Sequence, residues 1–102
     1  NRRVADYYRP EHPSVLRALE RLVRIAADHE KSISICGEMA HDEAMIPFLL
    51  GIGIRRLSID PQFMPAVHQR IAGLAIKACQ DHARTLMAAG SIDAVRKILA
   101  VS

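Results

Sequence analysis

Two short strand-like segments with a helical segment between them constrain this chain more than any other feature of its sequence. Residues 32–36 (Ser-Ile-Ser-Ile-Cys) alternate isoleucine with small side chains, and residues 55–59 form a second segment of the same length. Residues 42–50 carry a helical pattern between the two. Strands that alternate with helices are typical of parallel βαβ units, whose crossover is right-handed. The sequence therefore predicts an α/β protein.

Helical periodicity accounts for most of the remaining residues. Pro13 suits the first turn of a helix, and Asp42 is positioned to cap the helix that ends near Leu50. Further helices are predicted to end at residue 72 and at Gly90, and a last one follows. Apolar residues three and four positions apart mark the inward faces of three of these helices: Leu16, Leu19, Leu22, Val23 and Ala26; Ile76, Cys79, Ala83 and Leu86; and Val95, Ile98 and Leu99.

The small number of strands leaves the predicted sheet incomplete. Parallel strands normally have neighbours on both edges and helices on both faces. A complete β/α barrel needs about 250 residues, whereas this chain has 102. We therefore expect residues 1–102 to be a single partial domain, either the C-terminal fragment of a TIM barrel (its last two strands plus helices) or a unit that completes its sheet with a second copy. The start at Asn1 suggests a piece of a longer chain, and residues 1–11 are expected to form an irregular lead-in.

Charge and composition argue against several classes of function. With 14 Lys and Arg against 11 Asp and Glu, the net charge of +3 is too small and too dispersed to predict nucleic-acid binding. The longest apolar run, residues 46–54, contains a proline and two glycines and is far shorter than the roughly 20 residues of a membrane span. Two cysteines, Cys36 and Cys79, are too few for a disulfide scaffold, so we expect reduced thiols in a cytoplasmic protein.

The segment after the first strand is the strongest candidate for a functional site. It places the thiol of Cys36, the flexible Gly37 and the carboxylate of Glu38 at the carboxyl end of a parallel strand, where β/α barrels carry their active sites. Cys36 could exchange a proton or attack as a thiolate, and Gly37 and Glu38 are the expected substrate-binding residues. The alternative that the spacing alone leaves open is a small core cysteine at the end of an apolar strand.

Five segments carry a resemblance to a known family. They are Arg3-Val4-Ala5-Asp6-x-Tyr8, His12-Pro13-Ser14-Val15-Leu16, Ser34-Ile35-Cys36-Gly37-Glu38-Met39-Ala40-x-Asp42, Leu50-Gly51-x-Gly53, and Leu57-Ser58 followed by Pro65. Over residues 4–72 the sequence resembles the end of the phosphoenolpyruvate (PEP)-binding barrel of enzyme I of the sugar phosphotransferase system, and is most similar to its nitrogen-regulatory form. Pyruvate phosphate dikinase and PEP synthase are similar around Cys36 and stay open as alternatives.

The resemblance implies an activity, a cofactor and partners. The parent protein would be a PEP–protein phosphotransferase that transfers the phosphoryl group of PEP to its own histidine and then to a histidine phosphocarrier protein. The thiol that corresponds to Cys36 would be the proton donor to the enolpyruvate carbon. The resemblance also implies Mg²⁺ as cofactor and a homodimer formed through the barrel, with the metal ligands and the phosphorylated histidine upstream of Asn1. The 102 residues alone are expected to have no turnover, and a dimerisation or interaction module is the alternative function.

Two positions depart from the family pattern near the candidate site. His41 stands where the family usually has a glycine, so a bulky titratable side chain borders the site. Ile59 and Asp60 replace a methionine followed by a small polar residue, which could alter the rim of the second strand.

The remaining histidines, methionines and Cys79 are expected to have structural roles. His12 is predicted to cap or pack at a helix start, and His41 to face solvent from a loop. His29, His68 and His82 are predicted to be exposed helix positions, and no histidine has metal-ligand spacing with cysteine or carboxylate. Met39, Met45, Met64 and Met87 are predicted to fill the core or its gaps. Cys79, on an apolar helix face, is predicted to be inert.

Overall fold

The computed structural model describes residues 10–101, which form an α/β unit that is mostly helical. Its elements in chain order are α1 (Pro13–Asp28), β1 (Ser34–Ile35), a 3₁₀ helix (Glu38–His41), α2 (Ile46–Gly51), β2 (Arg56–Leu57), a second 3₁₀ helix (Pro61–Phe63), α3 (Met64–Ala72), α4 (Ile76–Met87) and α5 (Ile92–Val101). This order confirms the predicted alternation of helix and strand. The lead-in and the first family segment, up to residue 9, lie outside the described residues.

The two strands pair in parallel. Ser34 lies opposite Arg56 and Ile35 opposite Leu57, and the Ser58 N–H donates to the Ile35 carbonyl at 2.8 Å. Each strand has two residues where five were predicted. Strand structure is defined by pairing, and in the described part of the chain each strand pairs only with the other.

The core lies between α1, α2, α4 and α5, and several of the predicted inward positions are buried in it. Its residues are Leu16, Met45, Phe48, Leu49, Ile54, Ala83, Leu86, Ala89 and Val95. Gly51 lets α2 and α4 approach closely, because a Cβ atom at this position would lie 2.2 Å from the carbonyl oxygen of Cys79. Cys79 is only 2% exposed, as its apolar helix face predicts.

The helix starts agree with the sequence at α1 and differ at α2. His12 caps α1 as predicted: its Nδ1 accepts from the Ser14 N–H at 3.3 Å, and Pro13 occupies the first turn. Asp42 does not cap α2, which begins four residues later at Ile46. Its Oδ1 instead accepts from the Ala44 N–H at 3.2 Å, within a turn that precedes the helix.

Four side-chain predictions in the helices are wrong. Ile76, predicted on an inward face, is 43% exposed at the first residue of α4. Leu22 is 55% exposed, because it lies on the outer stripe of α1 and not on the face that buries Leu16. Met64 is 39% exposed at the start of α3. His82 is half-buried in α4 and not exposed, because it lines a cavity between helices together with Cys79 and Arg70.

Of the three histidines predicted to be exposed, His29 and His68 are exposed. The arginines of the outer face of α1, Arg17, Arg21 and Arg24, are exposed as well. A guanidinium nitrogen of Arg24 and a carboxylate oxygen of Glu20 form an ion pair at 3.4 Å. Among these arginines, Arg17 also donates from a guanidinium nitrogen to the Met87 carbonyl at 3.1 Å, which links α1 to the end of α4.

Candidate active site

The turn after β1 places the candidate residues at the carboxyl end of the strand. Cys36 is a free, exposed thiol directly after Ile35, and Gly37 and Glu38 are exposed beside it. Gly37 has φ 77° and ψ −157°, a conformation that side-chain-bearing residues rarely adopt. A Cβ atom on Gly37 would meet nothing within 4 Å, so the backbone angle requires glycine here and crowding does not.

A short 3₁₀ helix anchors the far end of this turn. The Ala40 N–H donates to the Gly37 carbonyl at 3.2 Å, and the Ala40 side chain is fully buried. Glu38 opens the 3₁₀ helix, with its exposed carboxylate two residues after the thiol. The site therefore offers a thiol and a carboxylate on one solvent-facing turn.

A similar turn follows β2. Asp60 opens the second 3₁₀ helix, and its Oδ1 accepts from the Gln62 N–H at 3.3 Å. The Phe63 N–H donates to the Asp60 carbonyl at 2.9 Å and so closes this turn. Because the strands are parallel and adjacent, the two turns leave the sheet at the same edge.

The rings of His41 and Phe63 join the two turns. Their centroids are 3.8 Å apart and their planes differ by 9°, which is a face-to-face stack. The prediction that His41 faces solvent from a loop is wrong: the side chain is half-buried at the end of the first 3₁₀ helix. Sequence reasoning missed Phe63 because the contact depends on the register between β1 and β2, which a pattern of single residues does not encode.

A second group of ionisable side chains lies in the helical layer formed by α2, α3 and α4. A cavity of about 200 Å³ is lined by Pro47, Arg70, Leu74, Ala78, Cys79 and His82. Burial raises the pKa of the Cys79 thiol above its ordinary value, although the charges of Arg70 and Arg55 oppose the shift. Burial, followed by the charge of Arg70, lowers the pKa of His82. A protonated, buried thiol is a poor nucleophile, which agrees with the inert role predicted for Cys79.

The described residues do not supply the magnesium site that the resemblance implies. Within residues 10–101 no three His, Cys, Asp or Glu side chains are grouped closely enough to hold a metal ion.

No helix in the same part of the chain is both long and apolar enough to cross a membrane.

The chain has two parallel strands connected through helical segments, and an exposed thiol follows the first strand. These are features of a segment of an α/β enzyme. The family model of the PEP-binding domain of PEP-utilising enzymes matches residues 1–76. The chain belongs to this family. The match includes both strands and the turns that follow them.

Curated relatives extend the similarity to almost the whole chain. It is 34% identical over 99 residues to multiphosphoryl transfer protein 1 of Escherichia coli (strain K12), which covers 97% of the chain. It is 32% identical to the phosphoenolpyruvate-protein phosphotransferases of Priestia megaterium and Chlamydia trachomatis, over 93% and 91% of the chain. The chain spans only 12%, 17% and 16% of these three proteins.

Proposed function

We propose that this chain is the C-terminal part of a PEP-binding β/α barrel in a PEP–protein phosphotransferase. The names of the relatives and the match to the PEP-binding domain support the activity. The observation that carries the site is the exposed thiol of Cys36, directly after a parallel strand within the matched segment. The full polypeptide would take the phosphoryl group from PEP and deliver it to a histidine phosphocarrier protein.

Cys36 is the proton donor in this proposal. Its Sγ–H proton passes to the terminal methylene carbon of PEP, while the bond between phosphorus and the enol oxygen breaks and phosphorus bonds to a histidine nitrogen outside this chain. The products are pyruvate and phosphohistidine, and the thiolate regains its proton from solvent before the next turnover. An ordinary thiol is mostly protonated at neutral pH, so it can serve as the acid.

The turn supplies two further functions to this step. Gly37 leaves the space beside its Cα empty, so substrate can approach the backbone next to the thiol. The exposed carboxylate of Glu38 accepts hydrogen bonds from a polar group of the ligand or from a side chain elsewhere in the barrel. We expect Mg²⁺ to be bound by residues outside this chain.

The free edges of the sheet favour completion by the rest of the same polypeptide. In the described part of the chain β1 and β2 pair only with each other, and an open parallel edge exposes unpaired backbone groups. The relatives are six to eight times longer than this chain, as the covered shares of 12% to 17% imply. We therefore expect the sheet to continue into a barrel, and the parent protein to form a homodimer.

The test replaces each cysteine separately in the full-length polypeptide. We expect Cys36→Ala to lower the rate of pyruvate release from PEP by about 100-fold or more, because a positioned general acid contributes about 10² to 10⁴. Cys79→Ala, which removes a buried thiol remote in sequence, is the matched control and should keep most of the rate. PEP binding, followed by calorimetry, should change little in either variant. A Cys36→Ala enzyme with most of its activity would contradict the proposal.

A further inference from the structure

The His41–Phe63 stack is the feature of the candidate site that the proposed chemistry leaves unused. It joins the last residue of one 3₁₀ helix to the last residue of the other. Both rings are half-buried. Each ring covers one face of the other. A separation of 3.8 Å with nearly parallel planes puts the two rings in van der Waals contact across their faces.

The turn that bears the thiol is held from its far end, where Met39 packs against the core and the Ala40 N–H donates to the Gly37 carbonyl. Cys36, Gly37 and Glu38 are all exposed, and a Cβ atom at Gly37 would touch nothing. The turn begins where the ladder between the strands ends, at the bond between the Ser58 N–H and the Ile35 carbonyl. Its far end is fixed by the buried Ala40 and by the ring of the next residue, His41.

We propose that the His41–Phe63 stack is a positioning device that fixes the turn of residues 36–38 against the end of β2. This inference rests on the role proposed above for Cys36. Both rings are positioning residues that act through the backbone of the turn, and neither takes part in the proton transfer. A flat aromatic pair suits this task because stacking sets both the separation and the relative tilt of the segments that carry it.

The stack should matter for turnover more than for binding. A general acid must lie within hydrogen-bond distance of the reacting carbon, and a displacement of about 1 Å can cost about 100-fold in rate. A loosened turn would sample the productive position of the thiol less often. We expect the turnover number to fall by about tenfold, with the KM for PEP nearly unchanged.

The experiment uses four test substitutions and one control substitution in the full-length polypeptide. Phe63→Leu and His41→Gln remove the stack, whereas His41→Phe and Phe63→Tyr keep two aromatic rings in contact. His68→Gln, at an exposed histidine of α3, is the matched control for loss of an imidazole. The rate of pyruvate release and the KM for PEP are measured for each variant, together with the thermal unfolding midpoint and hydrogen exchange of the peptide that contains residues 37–41.

The proposal expects activity to follow aromatic character. Phe63→Leu and His41→Gln should lose turnover and exchange the amides of residues 37–41 faster, while His41→Phe, Phe63→Tyr and the control stay near the wild type. Full turnover in Phe63→Leu, or an equal loss in His41→Phe and His41→Gln, would overturn the proposal. So would unchanged amide exchange in Phe63→Leu. Failure of the role of Cys36 would be visible separately, as an active Cys36→Ala enzyme, since amide exchange reports on the stack whichever group is the acid.

Discussion

The two cysteines of this chain lie in opposite environments, although both adjoin apolar segments. Cys36 follows an apolar strand, and Cys79 lies on an apolar helix face. Cys36 is exposed on a glycine turn at the carboxyl end of β1. Cys79 is 2% exposed in α4, where burial raises the pKa of its thiol. The same side chain is therefore available for chemistry at the edge of the sheet and unavailable within the helical layer. Position in the fold, and not residue type, separates a candidate acid from a core residue.

The largest expected difference between the two regions is in thiol reactivity. We expect iodoacetamide to alkylate Cys36 at least about 1,000-fold faster than Cys79 in the folded protein. A stability of about 5 kcal/mol leaves well under one molecule in a thousand unfolded, which limits access to a buried thiol. Peptide mass spectrometry over a time course measures both rates. Similar rates in native buffer would contradict the comparison, and similar rates in strong denaturant are the control.

The packing that buries Cys79 can be tested at Gly51. A Cβ atom there would lie 2.2 Å from the Cys79 carbonyl oxygen and 3.0 Å from the Ala83 Cβ, so α2 and α4 would have to separate. We expect Gly51→Ala to lower the free energy of unfolding by about 3 kcal/mol, as overpacking in a rigid core does.

Gly90→Ala is the matched control for this substitution. A Cβ atom at Gly90 would meet nothing within 4 Å, so the free energy of unfolding should change little. Denaturant titration measures both variants. Equal stabilities for the two would show that the crossing of α2 and α4 is looser than the distances indicate.

The smallest expected effect concerns pH and His82. Its Nε2 is buried and has no hydrogen-bond partner within residues 10–101, and burial together with Arg70 lowers its pKa below the ordinary value of 6.5. Below pH 6.5 the unfolded chain therefore binds more protons at this residue than the folded chain does. Stability from His82 is complete above pH 6.5 and is lost as the pH falls through that value towards the lowered pKa of the folded state.

Substitution of His82 should remove this part of the pH dependence. We expect His82→Gln to flatten the loss of thermal stability between pH 7 and acidic pH, relative to the wild type. His68→Gln, at an exposed histidine, should leave the profile unchanged. An unchanged profile in His82→Gln would show that its ring is solvated in both states.

Patterns among residues close in sequence predicted the features that depend mainly on interactions within a single helix or strand. The alternation of strands and helices, the cap at His12 and the burial of Cys79, Ala83 and Leu86 follow from spacing and were confirmed. The placement of Cys36 after a strand also followed from the pattern, whereas its catalytic role stays a prediction. Likewise the completed barrel stays a proposal, since the described residues contain only two strands.

The errors of the sequence analysis have a common physical origin. The late start of α2, the exposure of Leu22 and the burial of His82 all depend on how separate elements pack. The contact between His41 and Phe63 likewise requires the register of β1 and β2. Tertiary contacts of this kind leave no periodic trace in a single sequence, because the two partners are far apart along the chain.

Isotope exchange tests, apart from phosphoryl transfer, whether Cys36 moves the proton of the enolpyruvate carbon. The full-length phosphorylated enzyme with Mg²⁺ is incubated with pyruvate in D₂O, and the methyl protons of pyruvate are followed by NMR. We expect the wild type and Cys79→Ala to exchange these protons for deuterium, and Cys36→Ala to lose the exchange. Exchange at the wild-type rate in Cys36→Ala would contradict the account, since another group would then be the acid.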